Sequence, residues 1–169
     1  MRRTDCGKVL AYHTIDHYRL PRPAGIDTPP DQFESQLSWL SLNYTIVPLS
    51  HIVGAVKDGR RIPSNHLAIT FDDGYLDNFE NALPLLTRMK IPATVFCVAE
   101  YIGGDWPASH WDGVSKPMLN AEHLSAMAAQ GIEIASHGWH HEKMADVPRE
   151  ELIDRLVHSR EFLSHASGS

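Results

Sequence analysis

The stretch Leu67-Ala68-Ile69-Thr70-Phe71-Asp72-Asp73-Gly74 constrains the fold more than any other part of the chain. Mostly branched or aromatic residues run straight into two adjacent carboxylates and a glycine. This pattern predicts a short buried strand that stops at a turn. Runs of this kind suit a parallel sheet covered on both faces, whose strand carboxyl ends form a rim where loops converge. Asp72 and Asp73 would stand on that rim. An Asp-Gly turn or a helix cap uses the same residue types, so the pair alone leaves function open.

A second stretch narrows the choice. Ile132-Glu133-Ile134-Ala135-Ser136 reads as another strand and leads directly into His137-Gly138-Trp139-His140-His141. His137 and His141 are four apart, which predicts one helical turn with both imidazoles facing the same way. In a chain with 11 histidines this spacing also arises by chance. Position is the stronger signal, because both motifs follow a predicted strand and should emerge at the same rim. One carboxylate and two imidazoles would give a cation three protein ligands and leave a fourth position for water, as in catalytic rather than structural zinc sites.

The residues quoted so far resemble a known family, the polysaccharide deacetylases of carbohydrate esterase family 4, also called the NodB-homology family. Thr70-Phe71-Asp72-Asp73-Gly74 is similar to its first motif and His137 to His141 to its His-Ser/Thr-x-x-His motif. Further likeness lies in Leu10-Ala11-Tyr12-His13, Pro92-Ala93-Thr94-Val95-Phe96 and Gly131 to His137. The resemblance implies an α/β fold, a distorted (β/α) barrel. It implies that Asp73, His137 and His141 bind a divalent metal, Zn2+ before others, and that Asp72 is the catalytic base. The implied substrate is an N-acetylated polysaccharide or oligosaccharide.

Two departures stand out. Gly138 occupies a place where the family usually has Ser or Thr, whose hydroxyl would help fix the loop. The family's later motifs, with their Arg, Asp-Trp and Leu-x-His residues, have no counterpart before Ser169. The expectation is therefore one polysaccharide deacetylase-like domain over 1–169 holding only the N-terminal portion of the barrel, with its general acid unassigned. An open barrel edge would expose unpaired backbone groups and invite association with another chain.

Composition excludes several other classes. The 43% apolar and 21% charged shares are those of an ordinary globular chain. A net charge of -6 argues against a nucleic-acid surface, and the short basic run Lys57 to Arg61 reads as a solvated loop. Cys6 and Cys97 are too few and too far apart for a disulfide framework, and Cys97 lies in an apolar strand pattern as a small buried hydrophobe would. No segment approaches the length of a membrane span and no secretory signal is evident, so a cytoplasmic location is expected.

Taken in order, Lys8 to His13 predicts a first strand ending at the same rim. His13 is a candidate to support the site from behind its ligands; the competing reading, that it packs or caps, is favoured because an aspartate and two histidines already make a sufficient ligand set. A proline-rich loop leads to a helix over 32–42 with Asp31 as cap. A short strand follows at 44–47, and then a helix over 49–56. Asn78 to Met89 predicts one helix, kinked or started late by Pro84. Thr94 to Val98 predicts a strand, and 103–118 a long aperiodic loop whose Trp106 and Trp111 either stack on a sugar ring or tuck the loop down. Helices over 120–130 and 148–163 complete the alternation of strand and helix, which argues for parallel strands with helices outside.

These readings converge on a metal-dependent hydrolase removing N-acetyl groups from an amino-sugar polymer. The alternatives are a metal- or carbohydrate-binding remnant without turnover, and an amidase acting on a small non-sugar amide.

Overall fold

The computed structural model describes residues 6–17, 26–107 and 115–168. In chain order the elements are β1 (Lys8–Tyr12), α1 (Pro30–Asn43), β2 (Thr45–Ile46), α2 (Leu49–Lys57), β3 (His66–Phe71), a π-helical turn (Asn78–Ala82) running into α3 (Leu83–Met89), β4 (Thr94–Cys97), β5 (Asp105–Trp106), β6 (Lys116–Pro117), α4 (Ala121–Ala129), β7 (Glu133–Ser136) and α5 (Arg149–Ser167).

The apolar run of 67–71 is buried from end to end as β3, the centre of a five-stranded parallel sheet. β1 lies along one side in full register, from Lys8 opposite Leu67 to Tyr12 opposite Phe71. On its other side β3 changes partner midway. β2 pairs with its first residues, and β4 takes over at Thr70 and Phe71. β7 then adds to β4, with Cys97 opposite Ser136. Parallel strands in register must end at one rim, so Tyr12, Phe71, Cys97 and Ser136 deliver the segments that follow them to the same place. The ladder even runs on past the strand ends: Asp72 N–H donates to the Tyr12 carbonyl (2.9 Å), Val98 N–H to Asp73 (3.1 Å) and His137 N–H to Cys97 (2.8 Å).

Behind the rim, fully buried Phe33 from α1 meets Tyr12 and Phe71 edge-on, with ring centroids 5.0 and 5.8 Å away. Each buried phenylalanine contributes roughly 1.5–3 kcal/mol by leaving water. The cluster thus ties α1 to the ends of the two strands that frame the site. The Tyr12 hydroxyl donates to Gln36 Oε1 at 2.7 Å, and burial pushes its pKa up to about 12.

Several local expectations change. α1 is not capped by Asp31: Pro29 holds the cap position and Pro30 opens the helix. A proline fits there because its missing N–H would have no helical partner, and Asp31 in the first turn complements the helix dipole instead. The aperiodic stretch 103–118 contains the antiparallel ribbon β5–β6. The single helix expected over 78–89 begins as a π-helical turn, in which Leu83 N–H reaches back five residues to the Asn78 carbonyl. Pro84 follows at once and has no N–H to give, so the wider turn and the proline share one irregularity. Among the described residues no helix is long and apolar enough to cross a membrane.

Asp77, just before that turn, is an acid whose titration folding alters. Burial raises its pKa from 3.8 to about 6, with Asp16 adding to the rise, against the Ile15 N–H, Lys116 and Asn78. The folded state therefore holds a proton that the unfolded chain has lost between those values. The stabilisation from it is complete below about pH 3.8 and disappears as pH rises through 6. Asp77→Asn, fixed in the neutral form, should match wild-type stability near pH 4 and exceed it by about 2 kcal/mol at pH 8. Urea unfolding of both proteins across that range checks this, and parallel profiles would contradict it.

Candidate metal centre

At the carboxyl end of β3 the chain turns through two consecutive left-handed residues, Asp73 (φ 74°) and Gly74 (φ 89°). Gly74 has no substitute, because a Cβ there would meet Cys97 Sγ at 3.0 Å and Cys97 Cα at 3.3 Å. Asp73 is one of the few side chains that tolerate this region, at a cost of order 1 kcal/mol or more. The strained turn drives its carboxylate inward, where the residue is 1% exposed, while Asp72 stays half-buried beside it.

Asp73 Oδ1 lies 3.4 Å from His137 Nε2 and 3.6 Å from His141 Nε2. One ligand atom from each of the three falls within 4.8 Å of the other two. The histidines reach this position differently from expectation, since 137–141 is an irregular loop and not a helical turn. Gly138 (φ 94°) makes the sharp bend, and a Cβ there would sit 3.1 Å from the His140 carbonyl. The glycine does not leave the loop slack. Gly138 N–H donates to Ser136 Oγ (3.0 Å), and the carbonyls of Gly138 and Trp139 accept from Ala99 and Glu100 N–H, each at 3.1 Å. Glu100, to which the sequence assigned no role, pairs with His140 Nδ1 at 2.5 Å and holds the middle of the loop.

Electrostatically the three side chains are matched. Burial alone would raise the Asp73 carboxyl, but contact with His137 and the nearby His13 and His141 outweigh it and hold the pKa below 3.8. Asp73 in turn holds the His137 imidazole above its ordinary value against burial, with Asp72 adding to the rise. Asp73 Oδ1 is nevertheless buried with no hydrogen-bond partner. A buried carboxylate oxygen facing two imidazole nitrogens, with no donor of its own, fits a divalent cation held by one oxygen and two nitrogens with a position left open. Cys97 beneath it is not a fourth ligand in waiting: burial, helped by the Asp73 charge, pushes its thiol up to about 12.

Two further rim residues differ from expectation. Trp106 is fully buried and packs edge-on against the His141 ring, with centroids 5.0 Å apart, so it backs the site as a wall and presents no platform to a sugar. Trp111 lies outside the described residues. His13, read from the sequence either as a support of the site or as a packing or capping residue, stands half-buried just past the end of β1, near enough for its charge to bear on Asp73. The only sign of this in the sequence was its place one residue past a strand that ends at the rim.

Known proteins share this architecture. IcaB from Ammonifex degensii superposes with a TM-score of 0.77 at 22% identity over 98% of this chain and 71% of its own. The Streptococcus pyogenes deacetylase PplD, solved in complex with acetate, gives 0.77 at 20% identity over 96% of this chain and 69% of its own. In sequence, the poly-beta-1,6-N-acetyl-D-glucosamine N-deacetylase of Staphylococcus aureus (strain MSSA476) is 38% identical over 143 residues, 79% of this chain and 47% of that protein. The chain spans about half the length of the curated relatives it matches. The sequence profile of the family described as Polysaccharide deacetylase matches residues 59–169, a span that contains both rim motifs, and the chain belongs to that family.

Proposed function

We propose that this chain is a zinc-dependent N-deacetylase acting on an amino-sugar polymer, with Asp73, His137 and His141 as metal ligands and Asp72 as general base. The observation that carries this reading is the convergence of a buried, unpartnered Asp73 oxygen with two imidazole nitrogens on one sheet rim. Polymeric N-acetylglucosamine is favoured as substrate by the similarity to the Staphylococcus aureus poly-beta-1,6-N-acetyl-D-glucosamine N-deacetylase. When bound, a divalent cation supplies Lewis-acid polarisation of the amide carbonyl and makes water a better nucleophile near neutral pH.

The protein's own residues account for the protons. Asp72, adjacent to Asp73 but outside the ligand set, takes a proton from the attacking water as its oxygen bonds to the acetyl carbon. The carbon–nitrogen bond then breaks, and the departing amine must gain a proton before it leaves as a neutral group. We assign that proton to His13, which is half-buried one residue past the rim end of β1, beside the strand that delivers Asp72 and Asp73. The products are acetate and the free amino sugar. Exchange with solvent restores the proton to His13 and removes one from Asp72.

The test is acetate release by the zinc-loaded chain from β-1,6-linked N-acetylglucosamine oligomers, compared with hydrolysis of an aryl acetate. An aryl oxide leaves without protonation, so His13→Ala should lose about 100-fold on the amide and little on the ester. No acetate release by the wild type, whatever the metal supplied, would end the hydrolase reading.

A further inference from the structure

The segment that carries His13 leaves the sheet after Tyr12, and its Thr14 then forms an isolated bridge with Asp27. Its backbone is gripped by side chains from the π-helical turn and the residue before it. Asn78 Nδ2 donates to the His13 carbonyl at 2.8 Å, Ile15 N–H donates to Asp77 Oδ1 at 2.9 Å, and Asn81 Nδ2 donates to the Ile15 carbonyl at 2.8 Å. Asn78 Nδ2 also donates to Asp77 Oδ1 at 2.9 Å, which locks two of the three together. From the other side, Thr28 N–H donates to the Thr14 carbonyl (3.0 Å) and Thr14 Oγ1 to Asp27 Oδ1 (2.6 Å). Asn78, Thr14 and Ile15 are fully buried, so water does not provide these bonds.

We propose that Asp77, Asn78 and Asn81 are positioning residues for the reaction: they clamp the peptides of His13 and Ile15 so that the His13 imidazole stays aimed at the rim. The proposal rests on the reading of His13 as proton donor to the departing amine. The three side chains are offsets 4, 5 and 8 from Asp73 on the same continuous segment, β3 to the π-helical turn. One stretch of chain therefore sets both the carboxylate and, through the clamp, the imidazole that must work beside it. A turn that merely satisfied loop backbone would stabilise the protein without distinguishing one substrate from another. A positioning clamp acts only on the step that needs the imidazole. A misplacement of about 1 Å at such a group can cost up to about 100-fold in rate.

Asp77→Ala and Asn81→Ala are the variants of choice, because Asn78 is fully buried and its truncation endangers folding. With zinc content equal to wild type, each should lower kcat on the β-1,6-linked N-acetylglucosamine oligomer about tenfold and change aryl acetate hydrolysis by less than about threefold. Asp77→Asn keeps an oxygen for the Ile15 N–H and should return amide turnover to within about threefold of wild type. Independently of turnover, the Ile15 amide should exchange with solvent at least about tenfold faster in Asp77→Ala, while the β1 amides keep their protection. Equal losses on amide and ester, no loss on the amide, or an unchanged Ile15 exchange rate would each overturn the clamp. If His13→Ala loses amide turnover selectively and the clamp variants do not, the clamp fails and the role of His13 stands. If His13→Ala itself shows no amide selectivity, the role of His13 fails and the clamp proposal with it.

Discussion

Asp73→Ala, His137→Ala and His141→Ala are each expected to abolish stoichiometric uptake of a divalent cation, and with it turnover. The wild type should hold about one equivalent of zinc, as a site with one carboxylate and two imidazoles does. Zinc supplied at a hundredfold excess over its dissociation constant should stabilise the folded wild type by about 2.7 kcal/mol. For a chain of this size that corresponds to a rise in Tm of about 5–10 °C, which the three variants should lack. Asp73 is the most informative of the three. Its Oδ1 is buried with no hydrogen-bond partner and faces only the two imidazoles, so the alanine removes a ligand together with the charge that holds the His137 imidazole above its ordinary pKa. A variant that still takes up one equivalent, or a wild type that takes up none, would remove the ligand assignment.

The same site sets the sign of the pH dependence. In the metal-free protein Asp73 lies below its ordinary 3.8, so its contribution to stability is present above that value and is lost as pH falls through the lowered folded value. His137 lies above its ordinary 6.5, so its contribution is complete below that value and is lost as pH rises through the raised one. A cation must displace the proton on His137, so zinc affinity should rise with pH through and above the ordinary histidine range. Isothermal titration at several pH values would show this, and affinity independent of pH would contradict it.

Asp72→Asn should have the opposite combination of effects, with zinc retained and deacetylation lost by a factor of about 100 to 10,000. The amide cannot accept the water proton, yet it has nearly the shape of the carboxylate and sits outside the proposed ligand set. Asp72 is half-buried, and its backbone N–H stays tied to Tyr12 in either form, so the fold has little reason to respond. Acetate release measured alongside zinc content separates this from a general loss of structure. Equal acetate release from wild type and variant would remove Asp72 from its role, and loss of zinc would make it a ligand instead.

Local pattern carried a great deal of this protein. Residues 67–74 and 132–141 announced two strands ending in polar turns, the first buried along its apolar run and the second half-buried, because strand pattern and the conformational freedom of glycine are written in adjacent residues. The alternation of strand and helix then implied a parallel sheet, and parallel strands in register leave their ends at one rim. The residues the two motifs named are the ones the fold brings together. Long-range packing decided the rest. The histidine pair converges through a bend at Gly138 and not a helical turn, because Ser136 braces that loop locally while Ala99 and Glu100 hold it from an element distant in sequence. Trp106 became a wall behind His141 once the β5–β6 ribbon folded over it. His13, which its strand pattern already placed at the rim, came beside the Asp73 turn when β1 paired with β3, and Asp77, Asn78 and Asn81 gained their hold on its backbone from a proline-linked irregularity that has no periodic signature. Chemistry-bearing residue types and strand ends are properties of short segments, readable one at a time. Which side chain faces which atom depends on contacts between segments that are dozens of residues apart, and only the packed chain contains them.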